Sequence, residues 1–368
     1  LNVTDRLATR LIPLLLLILL VVGIKVFGTR VLHRETVPEA SYVFDGFAMG
    51  TVLTVKVLTH DEKLAEKAAD KALAEVRRLH KMFDPNDPES ELSFLNKAAG
   101  SPEPLPVSAD MSRVLRAALR IRKLSGGVFE PAMGKLIALW GFNAERKNLQ
   151  VPDSSRISAI VESTHWGREI VITAGGDSVK IGEHAGSLDM GGIAKGYAVD
   201  RAIAVLASCG VRKALVNLGG EIGVLGVGSN GRSWRVGVQH PRVNSRHIGV
   251  IDLTEGFYVA TSGDYERYFI LGNRRYHHIL NPATGYPAAR GVLSVTVIAS
   301  SCMEADGMAT AAFVMGADRG IEYLEQSGAK GLILYAEDGE TESGNFTYAA
   351  TGSFLELMKP DLAGQLIP

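Results

Sequence analysis

Cysteine is almost missing from this chain. Two thiols, Cys209 and Cys302, in 368 residues cannot build a disulfide framework or a cysteine-rich zinc site. An excess of either charge is missing too: 39 Lys and Arg stand against 40 Asp and Glu, for a net charge of −1. With no basic block to offset that balance, a nucleic-acid footprint is excluded. The familiar nucleotide motifs are also absent. No phosphate loop of the G-x-x-x-x-G-K-[ST] form occurs, since Lys195 is followed by Gly196. The three glycines of Gly223–Gly228 lack the dinucleotide spacing, and no G-x-S-x-G nucleophile elbow is found. Nothing repeats at a period of about 20–50 residues, which excludes a solenoid.

Long hydrophobic runs are missing with one exception, Leu11–Phe27, LIPLLLLILLVVGIKVF. Its seventeen residues approach the lower limit of a membrane span, and Lys25 can snorkel to the interface. Arg6 and Arg10 precede it while Lys25, Arg30 and Arg34 follow, so positive charge does not set its orientation. We read an uncleaved N-terminal membrane anchor over residues 1–28, a linker over 29–41, and the rest on the periplasmic side of a cell inner membrane. A signal peptide cleaved near Val26-Phe27-Gly28 is the alternative. The remaining composition, with 46% hydrophobic and 21% charged residues overall, is that of an ordinary globular chain with a sizeable core.

What is present centres on Ser187–Gly220. An acidic segment, Leu188-Asp189-Met190, enters the glycine-rich turn Gly191-Gly192-Ile193-Ala194-Lys195-Gly196. A helix follows, with Val199, Ala202, Ile203, Val205, Leu206 and Cys209 on one stripe, which places Cys209 as a buried, inert thiol. Gly210 ends the helix, and Ala214–Leu218 reads as a buried strand. Free N–H groups at such a helix start attract anions. Asp189 is a poor neighbour for a bare phosphate, and a metal ion between the two would resolve the conflict. A tight strand-to-helix turn with a satisfied Asp is the plainer alternative.

Around this stretch, helices are expected at Asp61–Met82, after Ser108, at Pro152–Glu162, at Cys302–Met315 and at Ile321–Gln326. Strands are expected at Trp234–Gln239, Ile248–Leu253, Tyr258–Ser262, Arg267–Leu271, Tyr276–Leu280, Val292–Ala299 and Leu332–Tyr335. Strands outnumber any regular strand–helix alternation, so the class is α+β. On the helix after Ser301, Asp306 and Thr310 lie four apart on one face. A carboxylate beside a hydroxyl suits a hard cation that takes oxygen ligands. A solvated Asp next to a Thr bonded within its own helix fits the spacing as well. Of the adjacent His277 and His278 only one can face a given site, where it could act as a general base on a hydroxyl.

The ordered motifs resemble those of the ApbE family of flavin transferases. They are Met49-Gly50-Thr51, Ser90-Glu91-Leu92-Ser93 with Asn96, Leu139-Trp140-Gly141-Phe142, and Asp189 with Gly192–Asp200. Asn217-Leu218-Gly219-Gly220, His278–Gly285 and Ala305-Asp306-Gly307 with Ala309-Thr310 complete the series. The likeness runs from Tyr42 to Gly352. It implies an ApbE-like, T-fold-related α+β fold of mixed and antiparallel sheets with packed helices and a nucleotide cleft between two lobes. The catalytic domain would be residues 42–352, with a C-terminal tail over 353–368 and the transmembrane helix in front. The implied activity is Mg²⁺-dependent transfer of FMN from FAD to a Thr or Ser hydroxyl of an acceptor flavoprotein, with release of AMP. FAD hydrolysis to FMN and AMP is the alternative, and a flavin-binding protein without turnover is a third.

Carried over by position, the resemblance gives Asp306 and Thr310 to Mg²⁺, with main-chain oxygens at Gly192 and Ala309. It gives Met49, Asn86, Phe129, Glu130, Asp189, Lys195 and Leu280 to FAD, and His278 the role of base. The chain departs from the family pattern three times. Asn86 stands where a tyrosine is common, Glu130 where Asp is usual, and Asn281 where the D-P-x-T-G loop begins with Asp.

Overall fold

The computed structural model describes residues 39–142, 150–243, 245–336 and 345–360. Strands β1 (Ala40–Ala48) and β2 (Thr51–Thr59) meet at Met49-Gly50, and both turn residues have positive φ. Two left-handed residues match the twist of a two-residue hairpin, and Met49 is a rare non-glycine occupant. Helix α1 (Glu62–Phe83) is capped by Asp61, whose side chain accepts the Leu64 N–H, and buries a stripe of Ala and Val. Next come α2 (Glu91–Lys97), β3 (Leu105–Pro106), α3 (Ala109–Leu124), α4 (Gly134–Trp140) and α5 (Ser154–Ser163). Ser108 caps α3 as expected.

Strands β4 (Ile170–Ile172) and β5 (Ser178–Ile181) then precede α6 (Ala194–Ser208), β6 (Ala214–Leu218) and β7 (Glu221–Leu225). The strand-rich part is β8 (Trp234–Gln239), β9 (His247–Leu253), β10 (Tyr258–Gly263), β11 (Tyr268–Leu271), β12 (Arg274–His277) and β13 (Val292–Ala299). Helices α7 (Cys302–Met315) and α8 (Ala317–Gln326) follow, then β14 (Lys330–Tyr335), β15 (Thr347–Ala350), α9 (Gly352–Leu355) and β16 (Met358–Pro360).

Eight strands form one sheet in the order β1-β2-β6-β7-β10-β13-β14-β15, and the pairings from β2 through β15 are antiparallel. One face carries α1, α6, α7 and α8, whose Ala-rich sides let helix and sheet approach closely. The other face packs on the small sheet β16-β9-β8 through Trp234, Ile251, Leu293, Leu332 and Phe354. Covered on both sides, β13 is buried over nearly its whole length, which explains its continuous apolar reading. The α+β assignment therefore stands, with antiparallel sheets.

Three expectations change, and a fourth, the membrane anchor, falls outside the described residues. From Ser41 onward the chain is one compact unit rather than two lobes, and two of its three hydrophobic clusters share the large sheet. The chain also stays in the fold past Gly352, because Phe354 is fully buried and β16 pairs with β9. Among the described residues no helix is long and apolar enough to cross a membrane, and the expected anchor Leu11–Phe27 lies outside the described residues. Cys209 is half-exposed at the end of α6 rather than buried; Cys302 is the buried thiol. The stripe of α6 runs out one turn before Cys209, at Leu206.

His277 sits in the core against the Phe313 ring, with its Nε2 donating to the Ala288 carbonyl at 3.1 Å. Burial, with some help from Arg275 and Arg242, pulls its pKa down to about 4. The imidazole is thus neutral in the fold, whereas the unfolded chain takes up a proton near pH 6.5. Its stabilising contribution is complete above that pH and is lost as pH falls toward 4, by up to about 1.4 kcal/mol per unit. In urea titrations, the stability difference between wild type and His277→Gln should shrink from pH 7 to pH 4.5. A difference independent of pH would show that His277 is not held neutral.

Candidate active site

The turn before α6 is built by backbone bonds. Met190 O accepts the N–H groups of Ile193 and Ala194 at 3.0 and 2.8 Å, and Asp189 Oδ1 accepts Gly191 N–H at 2.8 Å. Asn96 holds the approach from the side. Its Nδ2 donates to Leu188 O at 2.9 Å, and its Oδ1 accepts Leu188 N–H at 2.6 Å. On the flank, Gly134 N–H donates to Ser187 O and Asp189 N–H to Pro131 O, so the Phe129–Gly134 loop lies along this segment. Phe129 is buried there, its ring edge 3.3 Å from where a Cβ on Gly192 would stand.

Helix α7 comes against this turn from a hundred residues away. Asp306 is 2% exposed, and its Oδ2 accepts the Gly196 N–H at 2.9 Å, one of the donors that a helix start leaves unpaired. The picture of Asp306 as a solvated side chain is therefore overturned. Thr310 Oγ1 lies 3.5 Å from Gly192 O and 3.3 Å from Ser262 Oγ on β10. Both separations exceed the usual hydroxyl hydrogen bond of about 2.5–3.0 Å, so neither commits the hydroxyl. A hydroxyl, a carbonyl and a carboxylate thus converge beside the N-terminus of α6. Among the described residues no three His, Cys, Asp or Glu side chains share a metal-sized cluster. A cation here would depend on Asp306 together with neutral oxygens, which is the chemistry of Mg²⁺ or Ca²⁺ rather than zinc.

Lys195 points back under the turn and bonds Glu221, the first residue of β7. The two-residue turn Gly219-Gly220, with φ of +66° and +104° and its Gly220 N–H donating to Asn217 Oδ1, aims Glu221 inward. Glu221 is fully buried, and among the described residues its Oε2 has no hydrogen-bond partner. Burial pushes both the Glu221 and Asp306 carboxyls up, and Lys195 only partly offsets this. Lys195 itself stays protonated, since Glu221 and Asp306 outweigh the burial that opposes its charge. Two acidic side chains, Glu221 and Asp306, thus share one ammonium. Asp189 is likewise pushed up by burial.

His278 faces away from the core, as the alternation of adjacent residues requires, and its ring meets Phe142 edge-on. Strand β12 runs from Arg274 to His277, whereas the expected strand spans Tyr276–Leu280, so His278 lies just beyond its end. The Nδ1 of His278 lies 3.3 Å from Arg267 O, and a carbonyl can only accept. The bond therefore fixes the proton on Nδ1 and leaves the Nε2 lone pair available. Burial first, and then His277, Arg267 and Lys195, lower its pKa to about 3, so the ring is neutral at physiological pH. Arg267 also reaches Met49 O at 3.3 Å and Phe142 O at 3.4 Å, which ties the Met49 turn to the histidine segment.

The remaining expected residues are spread around this centre. Leu280 is buried in an aromatic cluster with Trp140 and Phe142. Ala309 is buried on α7, one residue before Thr310. Glu130 is buried, with Oε2 on Arg122 and Oε1 accepting from Ala132 and Gly167 N–H, so its carboxylate is occupied within the protein. Asn86 is exposed in the loop after α1, its N–H donating to Asp84. Sequence reasoning missed Glu221 and Arg267. The first acts from a strand end and the second through both its carbonyl and its guanidinium, and neither leaves a periodic signal.

The site is an oxygen-lined pocket at a glycine turn, set in an antiparallel α+β fold. The family is then given by comparison: residues 49–333 match the ApbE family, and the chain belongs to it. It is 33% identical over 305 residues to the FAD:protein FMN transferase of Vibrio cholerae, covering 82% of this chain and 89% of that one. A crystal structure of the ApbE protein of Thermotoga maritima superposes with a TM-score of 0.78 at 33% identity, over 87% of this chain and all of that chain. The flavin transferase ApbE of Vibrio cholerae gives a TM-score of 0.74 at 30% identity, with 87% and 100% coverage.

Gly196 carries the tightest approach in the site. A Cβ there would lie 2.3 Å from Cys302 O, a backbone atom with little freedom to move. Gly196→Ala should destabilise the fold by about 1–3 kcal/mol through overpacking. It should also part Asp306 from the turn. Thermal unfolding together with the exchange rate of the residue-196 amide checks both, and unchanged values would contradict the close docking.

Proposed function

We propose that this chain is a Mg²⁺-dependent FAD:protein FMN transferase that moves FMN from FAD to a Thr or Ser hydroxyl of an acceptor flavoprotein. The observation that carries the reading is the meeting of Asp306, Thr310 and the Gly192 carbonyl at the start of α6. The relatives named FAD:protein FMN transferase support it.

The residues fit a bound Mg²⁺. Asp306 keeps Oδ2 on Gly196, while Oδ1 makes no hydrogen bond among the described residues, and the Thr310 hydroxyl is loosely held. Asp306, Thr310 and the main-chain oxygens of Gly192 and Ala309 would hold the ion. When bound, it would offset the diphosphate charge and the charge that develops on departing AMP. In the reaction the acceptor hydroxyl oxygen bonds the FMN-side phosphorus, the bridging P–O bond breaks, and AMP leaves with that oxygen. His278 takes the hydroxyl proton on Nε2, the nitrogen its Arg267 bond leaves free. Lys195 keeps a positive charge beside the same diphosphate, and Glu221 keeps Lys195 in place. Met49, Phe129, Asp189 and Leu280 line the flavin nucleotide's path around this centre. As part of the same reading, the Leu11–Phe27 run would place the enzyme at the outer face of a cell inner membrane.

Incubation with FAD, Mg²⁺ and a candidate acceptor tests the reading, with acceptor mass and released nucleotides as the readout. Flavin on the acceptor together with AMP is the expected result. Free FMN plus AMP would make water the acceptor, and intact FAD would reduce the protein to a binder. Asp306→Ala should abolish the Mg²⁺-dependent reaction; full activity in that variant would reject the site. Asn86→Tyr adds a stacking ring and should tighten FAD binding by about 0.5–1.5 kcal/mol. Equal affinity by fluorescence titration would show that the loop after α1 does not cover the flavin.

A further inference from the structure

Helix α6 with its preceding turn and helix α7 run antiparallel, and their contacts fall on three levels spaced four residues apart in each. Gly192 faces Thr310, Gly196 faces Asp306, and Asp200 faces the start of α7 at Ser301-Cys302-Met303. The first two levels form the proposed cation cradle. The third has no place in the chemistry. There Asp200 Oδ1 accepts the Cys302 N–H at 2.8 Å, and its Oδ2 accepts the Met303 N–H at 3.1 Å and the Ser301 hydroxyl at 2.8 Å.

Two features mark this third level as more than an ordinary cap. The cap that α7 supplies for itself is stretched, with Ser301 Oγ 3.4 Å from the Glu304 N–H, so a neighbouring helix holds the first free donors. Among the described residues, Asp200 also accepts three of the five hydrogen bonds that cross between the α6 segment and α7. Gly196 offers no side chain to lock the pair, because Cys302 O occupies that space. Apolar contact between Ala-rich faces resists separation but not sliding, since dispersion has no direction. The directional bonds must fix the register.

We propose that Asp200 is a positioning residue that sets the register of α7 against α6 and so holds Asp306 and Thr310 over the glycine turn. The proposal rests on the cradle reading above only in what the register is for. Asp200→Ala frees α7 to shift along α6, loosening the Gly196–Asp306 bond one turn away and widening the gap between Thr310 and Gly192. Removing an outer partner of this kind weakens metal binding by about 10- to 100-fold.

The full chain is examined as wild type, Asp200→Ala, Asp200→Asn and Asp61→Ala. The last removes a helix cap of the same kind at the exposed start of α1. Amide exchange at residue 196 reads the register without any metal, and Mn²⁺ binding followed by electron paramagnetic resonance reads the cradle without turnover. Asp200→Ala should speed exchange of the Gly196 amide at least about tenfold and weaken Mn²⁺ by about 10- to 100-fold. Asp200→Asn, which keeps a side-chain oxygen for Cys302, should recover part of both, and Asp61→Ala should change neither. A Gly196 amide as protected in Asp200→Ala as in wild type overturns the proposal, as does equal loss in Asp61→Ala. Wild-type protein that binds no Mn²⁺, with Gly196 still released by Asp200→Ala, would sink the cradle reading and leave the register role standing.

Discussion

The site exists because two helices dock at van der Waals distance with small residues at the crossing. Gly196 lets the Cys302 carbonyl approach to a point no side chain would tolerate, and Ala305, Ala309 and Ala312 keep α7 thin on its packed sides. Close docking carries a polar obligation. The first N–H groups of both helices are withdrawn from water and must find acceptors within the protein. Asp306 serves α6 and Asp200 serves α7, each reaching across to the other helix. The exchange of caps turns a packing contact into a defined geometry, and the functional oxygens inherit that definition.

The same closeness sets the electrostatics. Glu221, Asp306 and Lys195 are brought together in a region that water hardly reaches, so their charges are felt at short range. Burial raises both acids, and Lys195 offsets this only in part. Among the described residues the pocket also carries an unpartnered Glu221 oxygen and a Thr310 hydroxyl with only long contacts. The neutrality of His278 has the same origin, since burial and the nearby cations Arg267 and Lys195 both oppose its protonation.

Much of this was legible in the sequence where local rules govern. Cys302–Met315, Val292–Ala299, Trp234–Gln239 and Ala214–Leu218 are helix and strands at the expected bounds, because periodicity, caps and glycine stops act over a few residues. The pairing of Asp306 with Thr310 followed from helical spacing alone. That this pair lies against Gly192 and Gly196 did not, since no local pattern encodes a contact over a hundred residues; only the likeness of ordered motifs suggested it. Glu221 and Arg267 were missed for a related reason. One is a polar residue at a strand end and the other works through both its carbonyl and its guanidinium, so their value arises from what the fold places beside them. Cys209 erred the other way, because the stripe of α6 was extended one turn past the last fully buried residue, and Cys209 packs there only in part.

The three departures from the family pattern are not equivalent, and the structure ranks them. The Glu130 carboxylate meets Arg122 on one oxygen and two backbone N–H groups on the other, so its extra methylene is absorbed in a closed set of bonds. Asn281 replaces a carboxylate by an amide, yet its Oδ1 still accepts the Ala283 N–H at 2.9 Å, and its carbonyl still accepts Thr284 and Gly285. The turn needs an acceptor rather than a charge, and an amide oxygen supplies one. Asn86 differs in kind, because it stands exposed in its loop and substitutes a small amide for a ring. A ring at that position would offer a stacking surface that no backbone arrangement replaces. Of the three, Glu130 and Asn281 hold the backbone around them, while Asn86 stands at an exposed loop position.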